Sequence, residues 1–287
     1  MTKKKTRISD LIVKLLIILS AIISILLLIT IILFVAIKGI GSVNWSFLTT
    51  VTSVLKGTVG IAGNIVNTLL IIVLTMLFVI PIGVGAAVYL NEYAKPGKLV
   101  SVIEFATEVL SGIPSIIFGL FGMMFFGETL KLGYSILTGV LTLILMVLPL
   151  VIRNTQEALK TVPDGYRHGA MALGAGKWYM IRTILIPSAM PGIITGSILA
   201  VGRIVGESAA LLFTAGSAKL LPKGILGIFE KIFQPGGTLT IQLYLSATSE
   251  GDFDTAFGIA LVLLVIVFTI NILTKKLTAH YDLAKGK

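Results

Sequence analysis

Residues 154–187 of the chain read NTQEALKTVPDGYRHGAMALGAGKWYMIRTILIP, a polar stretch between two long apolar runs. Asp164 is placed to cap a helix that continues to Leu173, and Gly174 and Gly176 then interrupt the helical pattern. A connection between neighbouring helices needs only a few residues, so about thirty residues with a helical pattern indicate a docking surface. The alternative is an amphipathic helix that rests on a lipid surface.

The rest of the chain is too apolar for a soluble domain. Of its 287 residues, 56% are hydrophobic and 13% are charged, whereas about a quarter of the residues in a soluble domain carry charge. Residues 15–37 hold no charge and are too long for a signal-peptide core. Further apolar runs cover residues 61–90, 99–126, 134–152, 184–214 and 255–274. The sequence therefore predicts an all-α, polytopic membrane protein with six transmembrane helices.

The basic residues predict the orientation of these helices. With the N-terminus inside, sixteen basic residues fall on the cytoplasmic side and six on the outer side. The cytoplasmic set includes Lys3, Lys4, Lys5 and Arg7. Since cationic segments resist translocation, we expect both termini and the 154–183 loop in the cytoplasm. The net charge of +10 then reflects membrane topology rather than a nucleic-acid partner.

The spacing of the apolar runs predicts two parts. Residues 1–60 form an N-terminal transmembrane helix with an outer loop, and residues 61–280 form a compact core of five helices. The composition argues against an enzyme. There is no cysteine, there are two histidines, and no GxxxxGK[ST] string that would cradle ATP is present. A transport function driven by a partner subunit fits these features.

One face of the fifth apolar run carries small and polar residues. At 100° per residue they fall within about 40° of one another. They are Gly192, Gly196, Ala200, Arg203, Glu207, Ala210 and Thr214. Such a stripe either packs against another helix or lines an aqueous route.

Arg203 favours the aqueous route. An arginine near the bilayer centre costs about 2.5 to 3.5 kcal/mol and cannot lose its proton, so it needs compensation. Glu207, one helical turn later, is the expected partner. Either the pair simply locks the helix, or Arg203 binds an anion while Glu207 competes with it and keeps that binding weak.

Arg153, at the inner end of the fourth apolar run, is a second candidate. Glu104 and Glu108 lie one turn apart in the third run and would repel an anion. Arg153 is therefore expected either to pair with these carboxylates across the bundle or to receive an anion at the exit of the pathway.

Residues 168–187 resemble the EAA loop of bacterial ABC importer permeases. The family pattern is EAA, three residues, Gly, nine residues and then Ile-x-Leu-Pro. The matching positions here are His168, Gly169, Ala170, Gly174, Ile184 and Pro187. Two of them depart from the pattern, because His168 stands in place of Glu and Gly169 in place of the first Ala. The resemblance implies that residues 154–183, which we call the coupling loop, contact an ATPase.

Four longer strings resemble the A-type permease of the phosphate-specific (Pst) importer. They are NTLLIIVLTMLFVIPIGVGAAVYLNEYA, EVLSGIPSIIFGLFG, LPLVIRNTQEALKTVP and GRIVGESAALLFTAG. The resemblance implies a type I (MetI-like) permease fold in a bacterial plasma membrane. It also implies a second permease subunit (PstC type), two ATP-binding subunits (PstB type) and an extracytoplasmic phosphate-binding protein (PstS type). No resident cofactor or metal is expected.

The expected substrate is inorganic phosphate. The candidate pathway residues are Arg203, Glu207, Arg153, Gly196 and Thr214. Two alternatives remain open: a permease of the same architecture for molybdate or sulfate, and an ion-driven secondary transporter. The second should show inverted repeats, and no second half of this chain resembles the first.

Overall fold

A computed structural model of the chain describes residues 8–53, 57–95, 97–222 and 224–281. Over these ranges the chain is built from helices, with one antiparallel pair of strands, β1 (Val51–Ser53) and β2 (Thr58–Ile61). The helices are α1 (Ile8–Gly39), α2 (Trp45–Thr49), α3 (Ala62–Val88), α4 (Lys98–Gly112), α5 (Ser115–Gly122), α6 (Ile136–Lys160), α7 (Asp164–Ala172), α8 (Lys177–Met180), α9 (Ile186–Val205), α10 (Ala209–Thr214), α11 (Gly224–Ile232), α12 (Leu239–Thr248) and α13 (Phe253–Tyr281). π-helical turns cover Tyr89–Tyr93, Met123–Thr129 and Ile181–Leu185.

An all-α fold with five or six transmembrane helices is confirmed. Within the described ranges, five continuous helical runs are long and apolar enough to cross a membrane: Leu11–Gly39, Ala62–Tyr93, Ile136–Lys160, Lys177–Val205 and Phe253–Lys276. The sixth is the pair α4 and α5, which meet at 103°. The sharp bend arises because a residue before proline avoids the helical conformation. Ile113, before Pro114, is accordingly extended at ψ 132°.

Helix α6 occupies the centre of the bundle, where α3, α9, α4 and α5 pack around it. Its apolar side chains join those of α3 and α9 in the largest buried cluster, which includes Val79, Leu143, Val147 and Ile204. Gly83 allows α3 to approach α6 closely, since a Cβ there would lie 2.8 Å from the Cγ1 of Val151. The cluster fixes the helices that carry the candidate site.

Helix α1 lies at the edge of the bundle against α13. None of its apolar stretch is buried within the chain. The contact with α13 is close at Gly39, where a Cβ would lie 2.4 Å from the carbonyl oxygen of Phe257. The rings of Phe34 and Phe257 also meet edge-to-face, with 5.5 Å between their centroids. The predicted division at residue 60 remains a prediction. The basic residues Lys3, Lys4, Lys5 and Arg7 lie outside the described residues, and so the orientation of the termini also remains a prediction.

The end of α3 that lies farthest from the coupling loop, here called the far end, is held by buried hydrogen bonds. The side-chain amides of Asn64 and Asn67 donate to the carbonyl oxygen of Gly237 at 3.0 and 3.1 Å. The Oγ1 of Thr68 accepts from the amide N–H of Leu239 at 2.9 Å. These side chains therefore tie α3 to the start of α12 and to the segment just before it.

Candidate functional site

The coupling loop is shorter than predicted, because α6 continues to Lys160. The polar residues that begin the loop in the sequence extend this helix, and Thr155, Ala158 and Leu159 are buried on its inner face. The predicted helix, bend and second helix follow as α7 and α8. Asp164 does not cap α7 as predicted: it is the first residue of the helix, Pro163 holds the cap position without a side-chain hydrogen bond, and the Asp164 carboxylate accepts from Arg167 instead.

Gly174 makes the bend between α7 and α8. Its φ of +79° is left-handed, a conformation that favours glycine. Its N–H donates to the carbonyl of Met171, and the N–H of Ala175 donates to that of Ala170, both at 3.0 Å. This pair of bonds is the Schellman motif that ends helices. The glycine of the EAA-like pattern therefore has a backbone role.

The outer surface of the loop carries large apolar side chains. Leu173, beside the bend, is 90% exposed, and Trp178 and Tyr179 are also exposed. His168 and Gly169 are exposed as well. An exposed leucine in this polar loop is a candidate contact for a partner protein.

The inner surface of the loop is packed against the bundle. Ala170, Met180 and Leu185 are buried in one cluster with Leu159 of α6 and Val88 of α3. Two other motif positions, Ile184 and Pro187, are half-buried at the junction with α9. The motif therefore has an exposed half at residues 168 and 169, and a half that joins the loop to α9.

Arg167 fixes the loop to α3, a contact that the sequence did not reveal. Its guanidinium donates to the Oε1 of Glu92 at 2.9 and 3.2 Å, to the carbonyls of Leu159 and Val162 at 3.0 Å each, and to Asp164 at 3.0 Å. The side chain of Glu92 is only 6% exposed. Arg167 and Glu92 are 75 positions apart in the sequence. The sequence feature that could have indicated the contact is Glu92 itself, a single carboxylate at the end of an apolar run.

A second contact joins the same two segments. The Nζ of Lys177, the first residue of α8, lies 4.8 Å from the centre of the Tyr93 ring. Tyr93 and Glu92 both belong to the π-helical turn that follows α3. The coupling loop thus holds this turn through an ion pair and through a cation–π contact.

The expected pair between Arg203 and Glu207 does not form. Helix α9 ends at Val205, and the Oε1 of Glu207 instead accepts the amide N–H of Ala210 at 3.0 Å. Glu207 is buried and satisfies a free N–H at the start of α10, where an acidic group is favourable. The break in the helix removes the i,i+4 relation on which the prediction rested.

The small residues of the stripe serve helix packing. A Cβ at Gly196 would lie 2.7 Å from the Cβ of Asn154 on α6. Thr214 is fully buried, and its hydroxyl donates to the carbonyl of Ala210 at 2.8 Å. Gly196 and Thr214 therefore lie in helix contacts within this chain, and their assignment to the pathway stays a prediction.

Two arginines remain as candidate anion-binding groups. Arg153 is exposed on α6 and Arg203 is half-buried on α9, and neither forms an ion pair within the described ranges. Beside Arg153, the side-chain Nδ2 of Asn154 is buried and has no hydrogen-bond partner among the described residues. Glu104 and Glu108 are exposed on α4 and do not pair with Arg153 in the part of the chain that the structure describes.

The two arginines lie at different depths. Helices α6 and α9 run antiparallel, with Gly196 beside Asn154. Arg203 is seven residues beyond Gly196, which at 1.5 Å per residue is about 10 Å along the axis. The two cations are therefore offset along the bundle.

Residues 79–284 match the protein family described as "Binding-protein-dependent transport system inner membrane component". The chain belongs to this family of transport permeases. The permease is 37% identical to the probable ABC transporter permease protein YqgI of Bacillus subtilis over 86% of this chain and 90% of that protein. It is 32% identical to the phosphate transport system permease protein PstA of Xylella fastidiosa over 82% and 80% of the two chains.

The fold of the permease is also found in a solved structure. An inward-facing form of the MetNI methionine ABC transporter matches 77% of this chain and 95% of that one, with a TM-score of 0.62 at 18% identity. The predicted all-α, MetI-like permease fold and the resemblance to PstA-type permeases are both confirmed. The permease is a multi-pass membrane protein and a transport subunit that works with a binding protein and an ATPase.

Proposed function

We propose that the chain is the A-type permease of an ATP-driven importer of inorganic phosphate. It forms the pathway with a second permease of PstC type, receives phosphate from a PstS-type binding protein and is driven by two PstB-type ATPase subunits. Both termini and the coupling loop face the cytoplasm of a bacterium. The observation that carries the proposal is the identity to phosphate transport permeases across four fifths of the chain.

The exposed side of the coupling loop is the ATPase contact. Leu173, beside the bend at Gly174, is its most exposed apolar side chain, at 90%. Burying a leucine side chain is worth about 1.5 to 3 kcal/mol. Leu173→Ser should therefore weaken co-purification of the ATPase, whereas Leu220→Ser, at an exposed leucine of the far end, should leave it unchanged. Equal loss in both variants would contradict this docking surface.

Arg203 and Arg153 are the phosphate-binding groups of the pathway. A guanidinium can donate two parallel hydrogen bonds to an oxyanion. Two weak phosphate sites lie about 10 Å apart along the helices. Phosphate can pass from one to the next without being held too tightly at either, since conduction requires binding that is also easily released. Glu207 contributes indirectly by stabilising the break between α9 and α10.

The mechanism is alternating access. Closure of the ATPases on ATP pushes the coupling loop, and the loop moves the helices to which it is packed. The pathway then opens toward the loaded binding protein, and hydrolysis of ATP resets it.

Uptake of labelled phosphate tests the proposal. Phosphate-starved cells that depend on this importer should take up phosphate, and excess sulfate or molybdate should not compete. Arg203→Gln should lower uptake by about 10- to 100-fold, because a charge-assisted fork is lost. Unchanged uptake in this variant would contradict the pathway, and competition by another oxyanion would contradict the substrate.

A second candidate function is import of molybdate or sulfate by the same mechanism. The two unpaired arginines favour an oxyanion but do not select among tetrahedral ones. The competition arm of the same experiment distinguishes the candidates.

A further inference from the structure

Helix α3 is held at both ends and is weakened in between. At its far end, the buried amides of Asn64 and Asn67 bind backbone carbonyls that precede α12. At its other end, Glu92 binds Arg167 of the coupling loop. Pro81 lies inside the helix between these attachments.

The attachment at the loop end uses the whole guanidinium of Arg167. A guanidinium has five N–H donors, and the five hydrogen bonds of Arg167 go to Glu92, to Asp164 and to two carbonyls at the end of α6 and just beyond it. Such a fork holds its planar group in one orientation. The side chain of Glu92 is nearly buried, so this contact is not a loose surface ion pair.

The middle of α3 is suited to bending. Proline lacks the N–H of an intrahelical hydrogen bond, and its ring crowds the carbonyl four residues earlier, so helices kink there. Beyond Pro81, a Cβ at Gly85 would meet no atom within 4 Å. A groove between α3 and α9 begins at this level and is lined by Pro81, Gly85, Tyr89, Trp178 and Ile193. The loop half of α3 therefore has room to move against α9.

We propose that Arg167 is a positioning residue that transmits movement of the coupling loop to α3. When the ATPase displaces the loop, the Arg167–Glu92 pair pulls the loop half of α3, which bends at Pro81 while the amides of Asn64 and Asn67 hold the far half. The loop also continues into α9 through the turn Ile181–Leu185. One displacement thus moves α3 and α9 together. This inference rests on the proposed function only in that an ATPase drives the loop.

The first test compares transport with ATP hydrolysis in proteoliposomes that contain the complete importer. Glu92→Gln keeps the size of the side chain and a carbonyl acceptor but removes the charge. We expect phosphate uptake per ATP hydrolysed to fall by about tenfold, while the ATPase rate and the subunit composition are retained. Glu157→Gln is the matched control, because it makes the same change in an exposed pair with Lys160 on α6. It should leave the ratio unchanged.

Arg167→Lys sharpens the same test. A lysine keeps the charge but offers a single point of contact in place of the fork, so the ratio should lie between those of the wild type and Glu92→Gln. A merely structural role predicts a different pattern, in which uptake and ATP hydrolysis fall in proportion and less complex assembles. That pattern, or an unchanged ratio in Glu92→Gln, overturns the proposal.

The second test measures the motion itself. The chain has no cysteine, so two introduced cysteines are the only ones on it that a spin label can modify. The labels go on Tyr89→Cys, near the loop end of α3, and on Leu130→Cys, in the turn after α5. Both positions are exposed. Trapping the ATPase in its ATP-bound form should change the distance between labels in the wild type and in Glu157→Gln, but not in Glu92→Gln. An equal change in all three overturns the proposal. If the importer carries another oxyanion, the distance change remains, which separates failure of the substrate assignment from failure of this inference.

Discussion

The two ends of α3 are held by different chemistry. At the far end the contacts are neutral, since amide side chains donate to buried backbone carbonyls. At the loop end a guanidinium binds one nearly buried carboxylate. Neutral buried hydrogen bonds fix a geometry, whereas the charged fork is proposed to pass movement of the coupling loop to α3. Both ends therefore stabilise the permease, but only the loop end is proposed to couple it to the ATPase.

The largest effect is expected at the loop end. Arg167→Ala leaves the nearly buried charge of Glu92 without a cation, with the amide of Asn91 still donating to it at 2.7 Å, and it should lower the free energy of unfolding by about 3 to 5 kcal/mol. Unfolding in mixed detergent micelles measures the loss. Lys160→Ala removes a cation from a pair whose members are both more than half exposed, and it should cost under about 1 kcal/mol. Similar losses in the two variants would mean that Glu92 is not isolated from water.

The far end should respond in stability alone. Asn67→Leu keeps the side-chain volume but leaves the carbonyls of Ala218 and Gly237 with fewer donors. The expected loss is about 1 to 3 kcal/mol in the same unfolding measurement. Phosphate uptake per ATP should stay at the wild-type value. A changed ratio would show that the far end also takes part in coupling.

The bend of the coupling loop offers a smaller, local effect. Gly174→Ala places a Cβ on a left-handed residue in open space, so conformational strain alone should cost about 1 to 2 kcal/mol. Gly169→Ala is the matched change within α7, where alanine favours the helix by about 0.5 to 1 kcal/mol. The free energy of unfolding should therefore fall in Gly174→Ala and rise in Gly169→Ala. A shift in the same direction would contradict the assigned bend.

The smallest effect concerns Lys231 of α11, near the far end. Its side chain is buried, with one hydrogen bond, to the carbonyl of Pro235 at 2.7 Å, and burial lowers its pKa from 10.5. The unfolded chain then binds more protons between the folded pKa and 10.5, so stability should rise with pH across that window. Lys231→Met should remove this rise. If stability still rises with pH in the variant, the rise belongs to another titratable group.

Much of the fold could be predicted because its signals are local. Each apolar run consists of consecutive residues, and the bend at Gly174 follows from a glycine at the end of a helical pattern. The resemblance of residues 168–187 to the EAA loop implied an ATPase as the partner. These features need no knowledge of which helices meet.

The candidate site was harder to predict because it depends on distant contacts and on one broken helix. The stripe from Gly196 to Thr214 assumed a continuous helix, but α9 ends at Val205 and Glu207 binds the start of α10. Arg167 and Glu92 belong to segments that only the fold brings together. Periodicity describes one helix at a time and does not identify either contact.

In the proposed mechanism ATP drives phosphate through this permease, and the most direct test is transport by the purified importer in proteoliposomes. Labelled phosphate should accumulate only when ATP and the loaded binding protein are both present. Unlabelled phosphate should abolish the signal, whereas excess sulfate and molybdate should leave it intact. Accumulation without ATP, or loss of the signal with sulfate or molybdate, would contradict the account.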